Sequence, residues 1–86
     1  MRLHGRVVRA GSPVEGAYVQ LVGPSGDFTA EVRTDESGRF LFYPVPGHWR
    51  LLGFVPGGVR VEREIDLGAG QSVDVDLPVH DGGVTD

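Results

Sequence analysis

Apolar residues recur at every second position along this chain, in short runs cut by glycine and proline. The cleanest run is the last, where Val73, Val75, Leu77 and Val79 alternate with Ser72, Asp74 and Asp76. That period predicts a strand with one buried and one wet face. The same reading predicts six earlier strands. Residues 3–9 turn Leu3, Gly5 and Val7 inward, and residues 17–22 turn Ala17, Val19 and Leu21 inward with Tyr18 and Gln20 outward. Residues 28–34 set Phe28, Ala30 and Val32 against Thr29, Glu31 and Arg33. Residues 39–43 bury Phe40 and Phe42, residues 48–54 bury Trp49 and Leu51, and residues 59–67 form the sixth strand. No run of ten residues keeps a helical period without an interrupting Gly or Pro, so no helix is expected.

Fourteen glycines and six prolines fall between these runs, the turn spacing of a sandwich or barrel. Asp35-Glu36-Ser37-Gly38 has the chemistry of a type I turn closed by a glycine at positive φ. Pro44-Val45-Pro46-Gly47 stops the fourth strand, because proline cannot donate to a ladder. The expected fold is all-β: a seven-stranded antiparallel Greek-key β-sandwich, its core about 10 Å thick and centred on Trp49, Phe40, Phe42, Leu21 and Val75. A chain of 86 residues makes one domain, expected over residues 1–80, with residues 81–86 a disordered tail that has nothing to bury.

The net charge is −4, and all eight cations are arginine. An acidic balance argues against a polyanionic partner. Arg2 and Arg6 would share one strand face and Arg9 the other, which reads as a solvated surface and not a nucleic-acid site. With no cysteine there is no disulfide, thiolate nucleophile or Cys-based zinc site, and the cytoplasm is the expected compartment. No signal-like apolar segment follows Met1, and no run approaches the roughly 20 apolar residues of a membrane span.

Candidate chemistry is sparse. His4, His48 and His80 lie 44 and 32 residues apart, and none has a partner at zinc-ligand spacing. The two carboxylates of the Asp35–Glu36 turn fall short of the six to eight oxygens calcium takes. No metal or other cofactor is expected. Asp74 and Asp76 would approach Glu62 and Glu64 if the last two strands paired, with Arg60 or Arg63 relieving the repulsion. Ser12, Ser25, Ser37 and Ser72 sit at turns or strand starts, none in a nucleophile elbow. The chain is therefore expected not to be an enzyme. What remains is surface: Tyr18, Tyr43, His48, Arg50, Leu52 and Phe54 fall on outward registers. They form a candidate interaction surface if the second and fifth strands share a sheet. A sugar-stacking platform of Tyr18, Tyr43 and an exposed Trp49 is the alternative.

Leu3-His4-Gly5-Arg6-Val7, the run from Pro13 through Gly16-Ala17-Tyr18-Val19-Gln20-Leu21, Thr34-Asp35 with Gly38-Arg39-Phe40, and Pro46-Gly47-His48-Trp49-Arg50-Leu51 occur in a known order. They resemble the carboxypeptidase regulatory-like domain, a transthyretin-like (prealbumin-like) sandwich. Across residues 3–79 the chain is also similar to a bacterial family of small proteins of unknown function, often encoded beside rhodanese-like thiosulfate sulfurtransferases. The resemblance implies a sandwich and an accessory role beside a sulfurtransferase, and it transfers no catalytic residue. Hydroxyisourate hydrolases of this fold use histidines, an arginine and a Tyr-Arg-Gly-Ser-type ending, from which Val84-Thr85-Asp86 departs. The Lys–Asn isopeptide bond of related adhesin sandwiches is excluded, since the chain has neither residue. The expected function is a non-catalytic interaction module for a protein partner, such as a sulfurtransferase, or for a second copy of itself, with no nucleic acid or membrane involved. A small-ligand or carbohydrate-binding domain is the alternative.

Overall fold

Alternating burial builds two sheets in the computed structural model, which describes residues 2–80; the expected tail, 81–86, lies outside the described residues. The strands are β1 (Arg2–Arg9), β2 (Ser12–Pro13), β3 (Tyr18–Val22), β4 (Phe28–Arg33), β5 (Arg39–Phe42), β6 (Gly47–Phe54), β7 (Arg60–Leu67), β8 (Ser72–Asp74) and β9 (Leu77–Val79). One sheet has the order β4-β3-β6-β7 and is antiparallel throughout. The other is built round β1, which pairs antiparallel with β2 and β5 and parallel with β8 and β9. Among the described residues no helix is long and apolar enough to cross a membrane.

The fold is the expected all-β sandwich, with seven strands appearing as nine for two local reasons. A two-residue hairpin strand, β2, folds back on the end of β1. The last strand divides at Val75–Asp76, and it runs parallel to β1, a direction that alternation along one strand does not reveal. Gly5 explains the division. A Cβ placed on Gly5 would lie 1.6 Å from the Val75 carbonyl oxygen, so that carbonyl occupies the space of the missing side chain. Val75 N–H meanwhile donates to the His4 carbonyl at 2.8 Å. Register survives the break: Leu3 faces Val73 and Val7 faces Leu77.

The core sits between the sheets. Leu3, Val7, Val19, Leu51 and Leu77 are fully buried, and Phe40, Phe42 and Trp49 lie among them. The two phenyl rings stand 6.2 Å apart at 53°, a favourable tilted geometry. Trp49 Nε1 donates to the Val45 carbonyl at 2.9 Å, so burying the indole strands no polar atom.

One inward assignment is corrected. Phe28 is 60% exposed because the β3–β4 register shifts between Leu21 and Val22, so that Val22 faces Phe28 and Thr29 becomes the extra residue. A bulge inserts one residue and reverses the face of everything beyond it. The Asp35–Gly38 turn forms as expected. Asp35 Oδ1 accepts the Ser37 and Arg39 N–H groups, both at 2.9 Å, and Gly38 has φ 75°.

Sequence reading treats Thr34 only as the end of a strand, but it is a fastener. Its hydroxyl donates to the Val14 carbonyl at 2.7 Å and accepts the Ala17 N–H at 2.9 Å, tying residues 14–17 to the end of β4.

Two stability predictions follow from these contacts. Gly5→Ala puts a methyl group into a backbone atom that cannot yield, and should cost about 3 kcal/mol or more. Thr34→Val keeps the volume but orphans a buried N–H, and should cost about 1–3 kcal/mol. Urea denaturation at unchanged m-value checks both.

Candidate functional site

β3 and β6 are neighbours at the centre of the four-stranded sheet. Tyr18 faces Phe54, Gln20 faces Leu52, and Val22 faces Arg50. Because Val19, Leu21, Trp49 and Leu51 point into the core, the residues between them look outward. Tyr18 is 45% exposed, and Leu52 and Phe54 are half-buried. These three side chains form an apolar strip down the middle of the face.

Both flanks of the strip are polar, and several of their charges are partnered. On the β4 side the Arg33 guanidinium lies 5.3 Å from the Tyr18 ring centroid, a cation–π contact. Next to it, Gln20 Nε2 donates to Glu31 Oε2 at 3.1 Å. On the β7 side, Arg50 Nε lies 3.2 Å from Glu62 Oε2, an ionic contact without hydrogen-bond alignment. His48 Nδ1 lies 2.6 Å from Asp66 Oδ1, and its Nε2 lies 3.4 Å from Glu64 Oε1. Such exposed, solvent-screened pairs contribute little to stability. Their larger effect is on desolvation, because a partnered charge is covered at lower cost than a lone one.

Five of the six candidate surface residues, Tyr18, His48, Arg50, Leu52 and Phe54, are thus brought onto one face. Tyr43 is not among them. It follows β5, in the other sheet, where it is 71% exposed; an outward register says nothing about which layer a strand joins. The sugar platform fails for the same reason, and because Trp49 is only 8% exposed with its N–H engaged. The expected approach of Asp74 and Asp76 to Glu62 and Glu64 is also corrected. β7 pairs with β6, whereas β8 pairs with β1. Asp74 instead lies 3.7 Å from His4, and Arg63 donates to the backbone carbonyl of Asp76. Among the described residues, no three His, Asp or Glu side chains converge in a way that could hold a metal ion. The flanking partners Glu31, Arg33, Glu62, Glu64 and Asp66 were missed by sequence reading. Their outward parity was the only signal, and parity does not name a cross-strand neighbour.

A family described as "Protein of unknown function (DUF1416)" matches residues 1–79. Uncharacterized protein Rv0814c of Mycobacterium tuberculosis is 44% identical over 55 residues, which cover 63% of this chain and 55% of that protein. The match therefore spans about half the length of that relative. An uncharacterized protein of Mycolicibacterium smegmatis is 40% identical over 73 residues, covering 83% of this chain and 81% of its own length. Among solved structures, that of Klebsiella pneumoniae 5-hydroxyisourate hydrolase superposes with a TM-score of 0.75 at 22% identity, covering 96% of this chain and 93% of that one. The fold is accordingly the transthyretin-like β-sandwich. This likeness corrects the expectation that the chain is not an enzyme. A chain sharing the fold almost end to end is a hydrolase, so a bare sandwich is no ground for excluding catalysis.

Among the described residues His48 stands out electrostatically. Its hydrogen bond to Asp66 raises the pKa, a smaller desolvation effect opposes, and the charges of Asp66 and Glu64 raise it further, so it sits above the ordinary 6.5. A raised cationic pKa contributes stability in full below 6.5 and loses it as pH climbs through the folded value. The His48 ring protons should titrate by NMR with a midpoint above 6.5. Asp66→Asn should bring that midpoint down and flatten the fall in stability above neutral pH.

Proposed function

We propose that this chain, which belongs to the DUF1416 family of proteins of unknown function, serves as a protein-docking module acting through the outer face of its four-stranded sheet. The observation that carries this reading is the apolar strip of Tyr18, Phe54 and Leu52, aligned across two central strands between rows of prepaired charges. An aromatic centre with a polar rim is the anatomy of a contact patch. Arg50, of a type enriched in such patches, stands at its end.

The occupant is a folded protein partner. On the β7 side the carboxylates of Glu62, Glu64 and Asp66 stand against Arg50, Arg60 and His48, and the Asp66 side chain is 87% exposed. A partner would therefore present an apolar centre with a mixed polar rim that includes a cation to meet Asp66. The family resemblance makes a rhodanese-like sulfurtransferase the first partner to test.

Leu52→Asp places an unpaired charge at the centre of the strip and should weaken the complex at least about 30-fold, the effect of losing roughly 2 kcal/mol at a hot spot. Tyr18→Ala should act in the same direction, and Tyr43→Ala should do nothing. Binding of the purified chain to a sulfurtransferase, read by fluorescence anisotropy with circular dichroism confirming folded variants, is the measurement. No complex at all, or one indifferent to Leu52→Asp, would sink the reading. Loss of a homodimer on Leu52→Asp, seen by light scattering, would overturn the partner assignment in favour of a second copy.

A further inference from the structure

The opposite face of the sandwich differs in its electrostatics. On the sheet built round β1, Arg2, His4 and Arg6 project from β1 beside Arg39 and Leu41 of β5 and Asp74 of β8. They line a groove of about 900 Å³, within the range of small-molecule sites. Arg6 and Arg39 stand directly opposite one another in the antiparallel ladder. Like charges in that position repel, yet neither guanidinium forms an ion pair among the described residues. The other sheet's arginines at 33 and 50 each found a ring or a carboxylate. Here the nearby Asp35 carboxylate is already turned to the backbone N–H groups of its own turn. Four arginines line the groove against three aspartates, in a chain whose net charge is −4.

We infer that this groove binds a small organic molecule bearing a carboxylate, with Arg6 and Arg39 as its anion clamp. Two adjacent guanidinium forks match the planar geometry of a carboxylate, and an anion between them removes their mutual repulsion. His4 stands next in the row, between Leu41 and Asp74. Its Nδ1 is 3.7 Å from Asp74 Oδ1, which leaves Nε2 as the atom available to a ligand. The volume far exceeds that of a bare inorganic ion, and Leu41, Val32 and Phe40 supply apolar wall. The ligand accordingly has an apolar body behind its charged head. Val32 and Arg33 of β4 form one edge of the groove, but the clamp, Arg6 and Arg39, lies on the sheet opposite the docking strip.

The test uses naphthoate, its neutral analogue naphthamide, and inorganic sulfate, each titrated into the ¹⁵N-labelled chain at low salt to about 10 mM, tenfold above a millimolar Kd. Naphthoate should give saturable shifts confined to the amides of β1, β5 and β8, and naphthamide none. Arg6→Gln and Arg39→Gln should each weaken binding at least about tenfold, or about 1.4 kcal/mol. Arg60→Gln, on the other sheet, should leave it unchanged. Relief of repulsion means that unliganded Arg6→Gln should melt no lower than the parent, so lost binding is not lost folding. Leu52→Asp should retain naphthoate binding, separating this inference from the docking proposal. Absent or scattered shifts, or binding indifferent to Arg6→Gln and Arg39→Gln, would overturn it. Sulfate binding as tightly as naphthoate would overturn the organic ligand.

Discussion

The Val75 carbonyl lies where Gly5 would carry a side chain, and the seam between the first and last strands depends on that contact. Any Cβ at position 5 would push β8 and β9 off β1. The sheet would then lose its parallel edge, and the core would lose Val75, Leu77 and Val79 from one wall. The same contact fixes which residues meet on the outside. With Leu3 held opposite Val73, His4 stands opposite Asp74. With β5 on the other edge, Leu41 and Arg39 complete the row. A backbone approach that only glycine permits therefore sets both the packing inside and the groove outside.

The two outer faces share an architecture and differ in how their charges are satisfied. On the four-stranded sheet several formal charges reach across to a neighbour: Arg33 to a ring, Arg50 and His48 to carboxylates, Glu31 to an amide. That face can be covered with little electrostatic cost, which suits contact with a large surface. On the sheet round β1 two arginines face each other, and neither is ion-paired among the described residues. That face gains by taking up an anion. Transthyretin-like sandwiches include a hydrolase, consistent with a scaffold whose chemistry resides in the outward side chains and not in the core.

Alternation predicted burial well wherever the strand stayed regular. Trp49, Phe40, Phe42, Val75 and Leu77 are all buried, and the Asp35 turn closes through the N–H groups its chemistry implies. Phe28 departs from the alternation because one extra residue at the β3–β4 bulge reverses its face. The role of Thr34 is not legible locally, because its two partners, at 14 and 17, lie in a loop that local pattern does not bring near. Tyr43 shares the outward register but not the layer of the candidate surface, because an outward register is the same on either layer.

Period-two burial and turn chemistry are local properties of the chain, set by side-chain alternation and by the φ that each residue tolerates. The sequence alone therefore determined the all-β class, the core aromatics and most strand bounds. Which strands became neighbours was decided by packing two layers against one another, and that choice involves residues far apart along the chain. The parallel seam of β1 with β8 and β9, the pairing of His48 with Asp66, and the confrontation of Arg6 with Arg39 all belong to that second level. Each depends on a register that only the assembled sandwich defines.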